Sequence, residues 1–261
     1  MNFTPKVPGA RLAAVRAMKA LGVNKIAHRV YYRYVHGFDT ASSFLLPALD
    51  ESFRIVASHG TARSGDYMEF GLFKGYSFWH AQKVARGMDF HSMRFFGFDS
   101  FAGLPPPRGI DVTANEDFYG GQYACSKAEV ERNLTARGVD WDRTFLIEGY
   151  FESSLTPGTR QRFGMERVAI ALIDCDLYES TMQVLEFLAP MVGDGSMLIF
   201  DDWNAFDADD SRGQRRAFRE FLAANLQLAA EPLFSYGHYG QVFALASGAG
   251  QGRGWLQEED P

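Results

Sequence analysis

The motifs IDCDLYEST at residues 173–181 and FDDW at residues 200–203 are the most informative about the fold of this chain. Each stretch closes an apolar run, at 168–173 and at 196–200, of the kind that forms a fully buried strand. Ligands of open α/β sheets bind in the crevice outside the carboxyl ends of the parallel strands. We therefore expect the four aspartates of the two stretches to meet at one edge of a parallel sheet.

The same alternation of apolar runs and helical patterns extends in both directions along the chain. It indicates an α/β fold with a doubly wound, mostly parallel sheet that is covered by helices on both faces. Two late runs add a C-terminal antiparallel hairpin, which makes seven strands. Predicted strands lie at 66–70, 94–98, 144–147, 168–173, 196–200, 228–234 and 241–245, and predicted helices near 76–87, 126–137, 178–191 and 212–226. We expect Ser126 and Glu129 to open the second helix as a capping box.

The acidic cluster predicted at the sheet edge comprises Asp174, Asp176, Asp201 and Asp202. Four carboxylates held close together repel one another, so we expect a compensating cation. Hard oxygen ligands of this kind suit Mg²⁺, Mn²⁺ or Ca²⁺ and not a soft metal. The alternative is that these are ordinary strand-end aspartates that cap helices, but two acidic groups at neighbouring strand ends favour the metal site.

A glycine motif, EFGLFKG at residues 69–75, follows the first predicted strand and precedes a helix. Glycine allows a sharp turn and a close approach to a ligand, and the start of a helix offers unpaired amide groups. Taken alone, the motif is equally compatible with a plain strand-to-helix turn. The chain has neither the GxGxxG fingerprint nor a P-loop, which disfavours nicotinamide cofactors and nucleoside triphosphates.

An acidic residue, Asp99, closes the second predicted strand in the stretch FDSF at residues 98–101. In folds of this type a carboxylate at that position accepts hydrogen bonds from both hydroxyls of a ribose. This placement favours binding of an adenosine group. The alternative is that Asp99 caps a turn.

Composition and length limit the classes of protein to consider. With 261 residues and 46% hydrophobic content, the chain can bury one substantial core. No apolar run approaches the roughly 20 residues that cross a bilayer, and the N-terminus lacks a signal-peptide pattern, so we expect a cytoplasmic protein without a membrane span. Cys125 and Cys175 have no metal-binding or disulfide spacing and are expected to be free thiols. The net charge of -6 argues against general binding of nucleic acid.

The predicted catalytic domain, residues 65–246, is flanked by two further segments and contains a predicted lid. Residues 1–64 form a predicted helical segment whose first 40 positions hold seven lysines and arginines against Asp39 alone. That segment is expected to pack on the core or on a second subunit; a membrane surface or an acidic partner is the alternative. Residues 105–123 lack periodicity and contain PPP and GG, which predicts a lid, and residues 247–261 predict a flexible tail.

EFGLFKG, FDSFAGLP, EGYFESSL, IDCDLYEST and FDDW together resemble the macrocin O-methyltransferase family, the metal-dependent sugar O-methyltransferases of macrolide and aminocoumarin pathways. The resemblance covers about residues 65–225. It implies a class I methyltransferase fold, S-adenosylmethionine as the cofactor, and Mg²⁺ or Mn²⁺ held by Asp174, Asp201 and Asp202. Asp176 would then be the catalytic base that takes the proton from a substrate hydroxyl.

The resemblance also implies the residues around the cofactor. Its methionine part is expected beside Glu69, Gly71 and Ser77, its ribose at Asp99 and its adenine at Gly149, Tyr150 and Phe151, and Gly75, Ser100 and Asp174 complete the predicted set.

The expected activity is methylation of a hydroxyl on a small molecule, namely a sugar of a glycosylated natural product. A catechol or phenol O-methyltransferase is the enzyme alternative, although that type places a lysine soon after its metal-binding aspartate and none lies between Asp174 and Asp202. A non-catalytic S-adenosylmethionine-binding protein is the third possibility, against which the intact aspartates argue. One departure from the family pattern concerns the substrate side, where SYGHYG at residues 235–240 replaces the usual Asp-containing turn.

Overall fold

The computed structural model describes residues 37–41, 43–58, 64–112 and 118–247. Most of the predicted N-terminal segment, with its proposed role in oligomer formation, therefore lies outside the described residues. The same holds for residues 113–117 of the predicted lid and for the tail beyond residue 247.

The seven predicted strands form one sheet in the order β3-β2-β1-β4-β5-β7-β6. Strands β1 to β5 are parallel to one another, and β7 runs antiparallel to both β5 and β6. The predicted doubly wound sheet with a closing hairpin is thus confirmed. The strands are β1 Asp66–Phe70, β2 Phe95–Asp99, β3 Thr144–Glu148, β4 Val168–Ile173, β5 Met197–Phe200, β6 Leu228–Tyr236 and β7 Gly240–Ser247.

Helices cover both faces of this sheet, which explains why every residue of β1, β4 and β5 is buried. One face packs against α1 and α2 around Phe53 and Tyr67, and the other packs against α6 and α7 around Phe200 and Phe218. The described α-helices are α1 Leu45–Ser58, α2 Tyr76–Gly87, α3 Lys127–Thr135, α4 Phe151–Ser154, α5 Pro157–Phe163, α6 Tyr178–Leu188 and α7 Gly213–Ala224. Among them, none combines the length and apolar character that a membrane span requires.

Local details differ from the sequence prediction at three places. Helices α4 and α5 were not predicted, since four and seven residues are too few to show a helical period. Helix α1 belongs to the core of the sheet domain, where its apolar face is buried. Ser126 is the N-cap of α3, but its side chain makes no capping bond. The Glu129 side chain instead lies against the Cys125 thiol, whose pKa is raised by burial and by this carboxylate to about 12.

Candidate active site

The sheet edge formed by the carboxyl ends of the parallel strands brings together the residues predicted for the site. The hydrogen-bond ladder continues one residue beyond the strands, so the first loop residues stand side by side. These bonds run from Gly71 N to Phe98 O (2.9 Å), Asp174 N to Phe70 O (3.0 Å), Asp201 N to Ile173 O (3.2 Å) and Gly149 N to Asp99 O (3.0 Å).

Gly71 is required where the glycine motif passes the acidic cluster. Its φ of +91° lies in the left-handed region, and a Cβ at this position would stand 1.9 Å from the carbonyl oxygen of Asp174. Only glycine therefore allows the two loops to touch. The motif ends at Gly75, the N-cap of α2, which is also left-handed with a φ of 83°.

Asp99 organises the loop of the glycine motif. Its Oδ2 accepts hydrogen bonds from the amides of Leu72 (2.7 Å) and Phe73 (3.2 Å), and its Oδ1 accepts one from the amide of Phe101 (2.6 Å). Burial raises the pKa of Asp99, and these three bonds oppose the rise. Each carboxylate oxygen has two lone pairs, so Oδ1 keeps capacity for a further donor. Asp99 therefore shapes a turn, and its contact with a ribose stays a prediction.

Glu69 is fully buried within β1, and both of its carboxyl oxygens accept hydrogen bonds. Tyr67 donates to Oε2 at 2.6 Å and Ser77 donates to Oε1 at 2.7 Å. Burial raises the pKa of Glu69 to about 8, with smaller contributions from Asp99 and Asp201. Ser77, predicted beside the cofactor, thus links the start of α2 to β1.

The remaining predicted cofactor residues lie in the loops after β2 and β3. The Ser100 hydroxyl donates to Gly103 O at 2.7 Å and accepts from Ala102 N at 3.1 Å, which closes a tight turn. After Gly149, Tyr150 forms the N-cap of α4 with a ring that is 39% exposed. Phe151 packs edge-on against the buried Phe70 ring. Tyr150 is therefore the side chain here that is free to cover a planar ligand.

The acidic cluster is internally repulsive, and Asp176 is buried in it while Asp174, Asp201 and Asp202 are half-buried. The pKa of Asp174 is raised well above its usual range by burial and then by the charges of Asp201, Asp202 and Asp176. Burial raises the pKa of Asp176 to about 7, with a further contribution from Asp201. Within the described ranges, no lysine or arginine forms an ion pair with any of the four aspartates.

Hydrogen bonds hold three members of the cluster in place. Asp176, with a left-handed φ of 59°, donates its amide to Asp202 Oδ2 at 3.1 Å. Asp201 Oδ1 accepts from the Tyr236 hydroxyl at 2.9 Å. Asp202 donates its amide to Gln214 Oε1 at 3.1 Å, and Gln214 Nε2 donates to Ile173 O at 3.0 Å. Gln214 and Tyr236 were not predicted as site residues, although Tyr236 lies in the turn that departs from the family pattern.

The acidic cluster offers the ligand types of a divalent-cation site. Its carboxylates, which have no cationic partner among the described residues, have the donor chemistry of a hard-metal site. Their present orientations are not those of a finished site, because no three His, Cys, Asp or Glu side chains among the described residues converge as metal ligands. Two of the carboxylates accept hydrogen bonds within the chain, Asp202 Oδ2 from the Asp176 amide and Asp201 Oδ1 from the Tyr236 hydroxyl. The cluster fits a cation if Asp174, Asp201 and Asp202 rotate toward a common point.

A third unpredicted residue, Asp111, joins the predicted lid to the acidic cluster. It lies in a short 3-10 turn, Gly109–Asp111, and its side chain is buried. Its carboxylate accepts hydrogen bonds from the amides of Tyr178 (2.7 Å) and Glu179 (3.1 Å), the first residues of α6. The described first part of the predicted lid therefore contacts the start of α6, two residues beyond Asp176. Its role as a closing lid stays a prediction.

Residues 46–235, well over half of the chain, match the family model for macrocin-O-methyltransferase (TylF). The chain belongs to this macrocin O-methyltransferase family. The resemblance inferred from the motifs is thereby confirmed, because the match contains all the predicted site residues.

Individual relatives within and around the family agree with this assignment. The 8-demethyl-8-(2,3-dimethoxy-alpha-L-rhamnosyl)-tetracenomycin-C 4'-O-methyltransferase of Streptomyces olivaceus is 31% identical over 148 residues, which cover 55% of this chain and 54% of that protein. The mycinamicin III 3''-O-methyltransferase of Micromonospora griseorubida is 27% identical over 145 residues, 53% of this chain and 55% of that protein. The chain spans about half the length of the curated relatives it matches.

The solved structure of the O-methyltransferase NovP has the same fold as this member of the family. It superposes with a TM-score of 0.64 at 23% identity, covering 77% of this chain and 78% of that one. The predicted class I methyltransferase fold is confirmed by this likeness and by the strand order.

Proposed function

We propose that this protein transfers a methyl group from S-adenosylmethionine to a hydroxyl of a sugar on a glycosylated natural product, with the help of a divalent cation. The observation that carries the proposal is the acidic cluster at the ends of β4 and β5. Burial raises the pKa values of all four aspartates there, and repulsion from neighbouring aspartates adds to the rise at Asp174, Asp176 and Asp202. Such a cluster is costly unless a cation or a substrate proton compensates it.

The cofactor is assigned to the neighbouring half of the same edge, at the ends of β1, β2 and β3. The left-handed turns at Gly71 and Gly75 bring backbone close to a ligand there, and Asp99 keeps one acceptor for a ribose hydroxyl. The exposure of Tyr150 supports its assignment as the residue that covers the adenine. S-adenosylmethionine supplies an electrophilic methyl group that reacts with an oxygen nucleophile.

The cation is assigned to Asp174, Asp201 and Asp202. When bound, a divalent cation lowers the pKa of an alcohol that it contacts. Gln214 accepts a hydrogen bond from the Asp202 amide, and Tyr236 donates one to the Asp201 carboxylate. These two residues therefore orient two of the proposed ligands. The position of Asp174 is further fixed by the hydrogen bond from its backbone amide to Phe70 O at the end of β1. A substrate with two adjacent hydroxyls at this position would be held in one orientation. That orientation determines which of the two hydroxyls is methylated.

Proton removal is assigned to Asp176. A carboxylate with a pKa near neutrality is a suitable general base, and burial gives Asp176 a pKa of about 7. Its backbone is left-handed, and its amide donates a hydrogen bond to Asp202 Oδ2 at 3.1 Å. Asp176 thus lies beside a residue assigned to the metal, and the role of base is assigned to it separately.

A sugar hydroxyl is proposed as the acceptor because the matched relatives are O-methyltransferases of natural products and the name of the first carries a rhamnosyl group. The test is a panel of deoxysugar glycosides and vicinal phenols incubated with methyl-labelled S-adenosylmethionine and Mg²⁺. We expect label in the glycosides and its loss on thorough EDTA treatment, with recovery after Mg²⁺ is restored. Label in the phenols alone contradicts the sugar assignment, full activity after EDTA contradicts the metal, and no label at all contradicts the enzyme.

A further inference from the structure

The last residue pair of the C-terminal hairpin joins Tyr236 on β6 to Gly240 on β7. The far half of the Tyr236 ring occupies the place that a side chain at position 240 would take. A Cβ there would overlap with Cζ, Cε1 and Cε2 of the ring, well inside the roughly 3.5–4.0 Å at which carbon atoms touch. The ring can hold this place only because residue 240 has no side chain.

The path of the backbone does not itself require glycine at position 240. Gly240 begins β7, and its φ lies outside the left-handed region that favours glycine. In the same hairpin, Gly237 does adopt a left-handed φ of 58°. The absence of a side chain at position 240 is therefore explained by the tyrosine ring that covers it.

The seat on Gly240 carries the Tyr236 hydroxyl to the end of β5. There the hydroxyl donates to Asp201 Oδ1 at 2.9 Å, with Phe200 O as a second acceptor at 3.2 Å. Strand β7 lies between β6 and β5, and its register pairs Gln241 with Phe200, so that Gly240 comes next to Asp201. The ring therefore reaches across β7 by passing over Gly240.

An aromatic ring that covers a cross-strand glycine can also stabilise a hairpin without any role in a site. Two observations favour a role in the site here. The hydroxyl end of the ring is bonded to Asp201, a carboxylate assigned to the cation. Tyr239, which adjoins Gly240, accepts a hydrogen bond from Asn204 N at 3.0 Å. The hairpin turn thus contacts the loop after β5 on both sides of Asp202.

We propose that Gly240 is a positioning residue of the cation site, which leaves room for the Tyr236 ring and thereby fixes the orientation of the Asp201 carboxylate. Gly240 acts through the tyrosine and not by contact with the cation. The inference rests on the proposed function, from which it takes the cation. It adds that the affinity for the cation depends on a glycine of the C-terminal hairpin.

Gly240→Ala tests the proposal because it adds one methyl group at the point of contact. The Tyr236 ring must then move by more than about 1 Å to regain an ordinary carbon contact, which weakens a hydrogen bond that depends on distance and direction. A space of about 360 Å³, lined by this ring and the start of α1, lies beside it and can receive it. We therefore expect the variant to fold with the hydroxyl displaced from Asp201.

The readout is the affinity for Mn²⁺, measured by calorimetry on the full chain. Four proteins are compared, namely wild type, Gly240→Ala, Tyr236→Phe and the double variant. We expect Gly240→Ala to weaken Mn²⁺ binding by about tenfold, a usual effect of disturbing a hydrogen bond to a metal ligand. In the Tyr236→Phe background the same change should have no further effect, because the hydroxyl is already absent. The affinity for S-adenosylhomocysteine should be equal in all four.

Ser235→Ala is the matched control in the same hairpin. It removes the hydrogen bond from Ser235 Oγ to Gln241 Oε1 at 2.6 Å and leaves the Tyr236 ring on its glycine. If Gly240→Ala acted only by loosening the hairpin, Ser235→Ala would lower the Mn²⁺ affinity in the same way. We expect it to leave that affinity unchanged, and urea denaturation compares the effects of the two variants on stability.

The outcomes separate this inference from the function on which it rests. Equal Mn²⁺ affinity in wild type and Gly240→Ala overturns the inference and leaves the proposed cation in place. An equal loss with and without the Tyr236 hydroxyl also overturns it, because the effect then does not pass through that bond. Wild type that binds no Mn²⁺ contradicts the proposed cation and with it this inference. A loss confined to proteins with the hydroxyl supports the inference even where no methyl transfer is found, a result that contradicts the proposed reaction alone.

Discussion

The phenolic hydroxyl of Tyr236 donates a hydrogen bond to Asp201 Oδ1 at 2.9 Å, with the carbonyl oxygen of Phe200 as a second acceptor at 3.2 Å. This pair connects the last residue of β6 to the first residue after β5, across the intervening strand β7. Because the Tyr236 ring is buried, the donor is held at a fixed position. The orientation of a proposed metal ligand thus depends on a residue of the C-terminal hairpin.

Tyr236→Phe removes this donor and keeps the ring. We expect Mg²⁺ or Mn²⁺ affinity to fall by about 10- to 100-fold, the usual effect of losing a hydrogen bond to a metal ligand, without a change in S-adenosylhomocysteine affinity. Calorimetric titration of each ligand into the protein checks this. Tyr178→Phe is the matched control, since it removes a hydroxyl bonded to Glu220 on the helical surface. Equal metal affinity in wild type and Tyr236→Phe contradicts the role.

The buried carboxyl of Glu69 should make the stability of the fold depend on pH. Its pKa of about 8 in the folded protein, set mainly by burial, lies above the usual value of 4.5, so the folded state binds the proton more tightly than the unfolded state. The stabilising contribution of the protonated form is therefore complete below pH 4.5 and is lost as the pH rises through 8.

Glu69→Gln should remove that dependence. Between pH 5 and pH 8 we expect the free energy of unfolding of wild type to decrease relative to that of the variant by on the order of a few kcal/mol. Urea denaturation at several pH values measures it, with Glu186→Gln on the exposed side of α6 as the control. Parallel pH profiles for wild type and Glu69→Gln would show that the proton is not bound there.

Asp99→Ala should weaken both the cofactor site and the loop that surrounds it. Three amides lose their acceptor, so we expect a loss of about 1–3 kcal/mol in the free energy of unfolding. S-adenosylhomocysteine binding should weaken by on the order of 1.5–3 kcal/mol if the carboxylate also contacts the ribose. Calorimetry at a temperature where both proteins are folded separates the effects. Unchanged affinity in a destabilised variant leaves Asp99 with a structural role alone.

Asp111→Ala should release the described part of the predicted lid from the start of α6. The variant removes the acceptor for two helix-terminal amides, and we expect a loss of about 0.5–2 kcal/mol in stability. Hydrogen exchange should accelerate at residues 104–112 and at Tyr178 and Glu179. Asp140→Ala, which removes a comparable cap beside β3, is the control and should leave those amides protected. Unchanged exchange would mean that the contact does not hold the segment.

The fold was predictable from the sequence where burial is complete. The residues of β4 give an uninterrupted apolar run with the predicted bounds, as expected of a strand covered on two faces. Strand β1 also has the predicted bounds, although Asp66 and Glu69 interrupt its apolar run. The positions of the four aspartates followed from the parallel order alone. Contacts between distant segments were not predictable in this way. Asp111 lies 67 residues before its partner Tyr178, and nothing in the local pattern relates the two.

For the site, the sequence likewise predicted where residues lie along the chain but not how their side chains are oriented. The sequence placed Asp99 at a strand end, but it did not show which groups bind the Asp99 carboxylate. The three amides that donate hydrogen bonds to it belong to loops whose path depends on Gly71 and its neighbours. The departure at residues 235–240 indicated a changed substrate side. It did not indicate that Tyr236 turns inward to Asp201, because the direction of a hairpin side chain depends on the register of β6 with β7.

Substitutions of Asp174 and Asp176 should separate the metal ligand from the base. Asp174→Asn removes one charge from the proposed ligand set, so we expect weaker binding of Mg²⁺ and activity that excess Mg²⁺ partly restores. Asp176→Asn should keep the affinities for metal and cofactor while turnover falls by about a hundredfold to ten-thousandfold, the usual contribution of a general base. Metal titrations and steady-state kinetics at saturating Mg²⁺ measure both effects. Because the Asp176 amide, and not its side chain, bonds to Asp202, the asparagine variant should preserve the loop. Rescue of Asp176→Asn by excess Mg²⁺ would make Asp176 a ligand, and near-normal turnover with metal bound would assign proton removal to another group or to water.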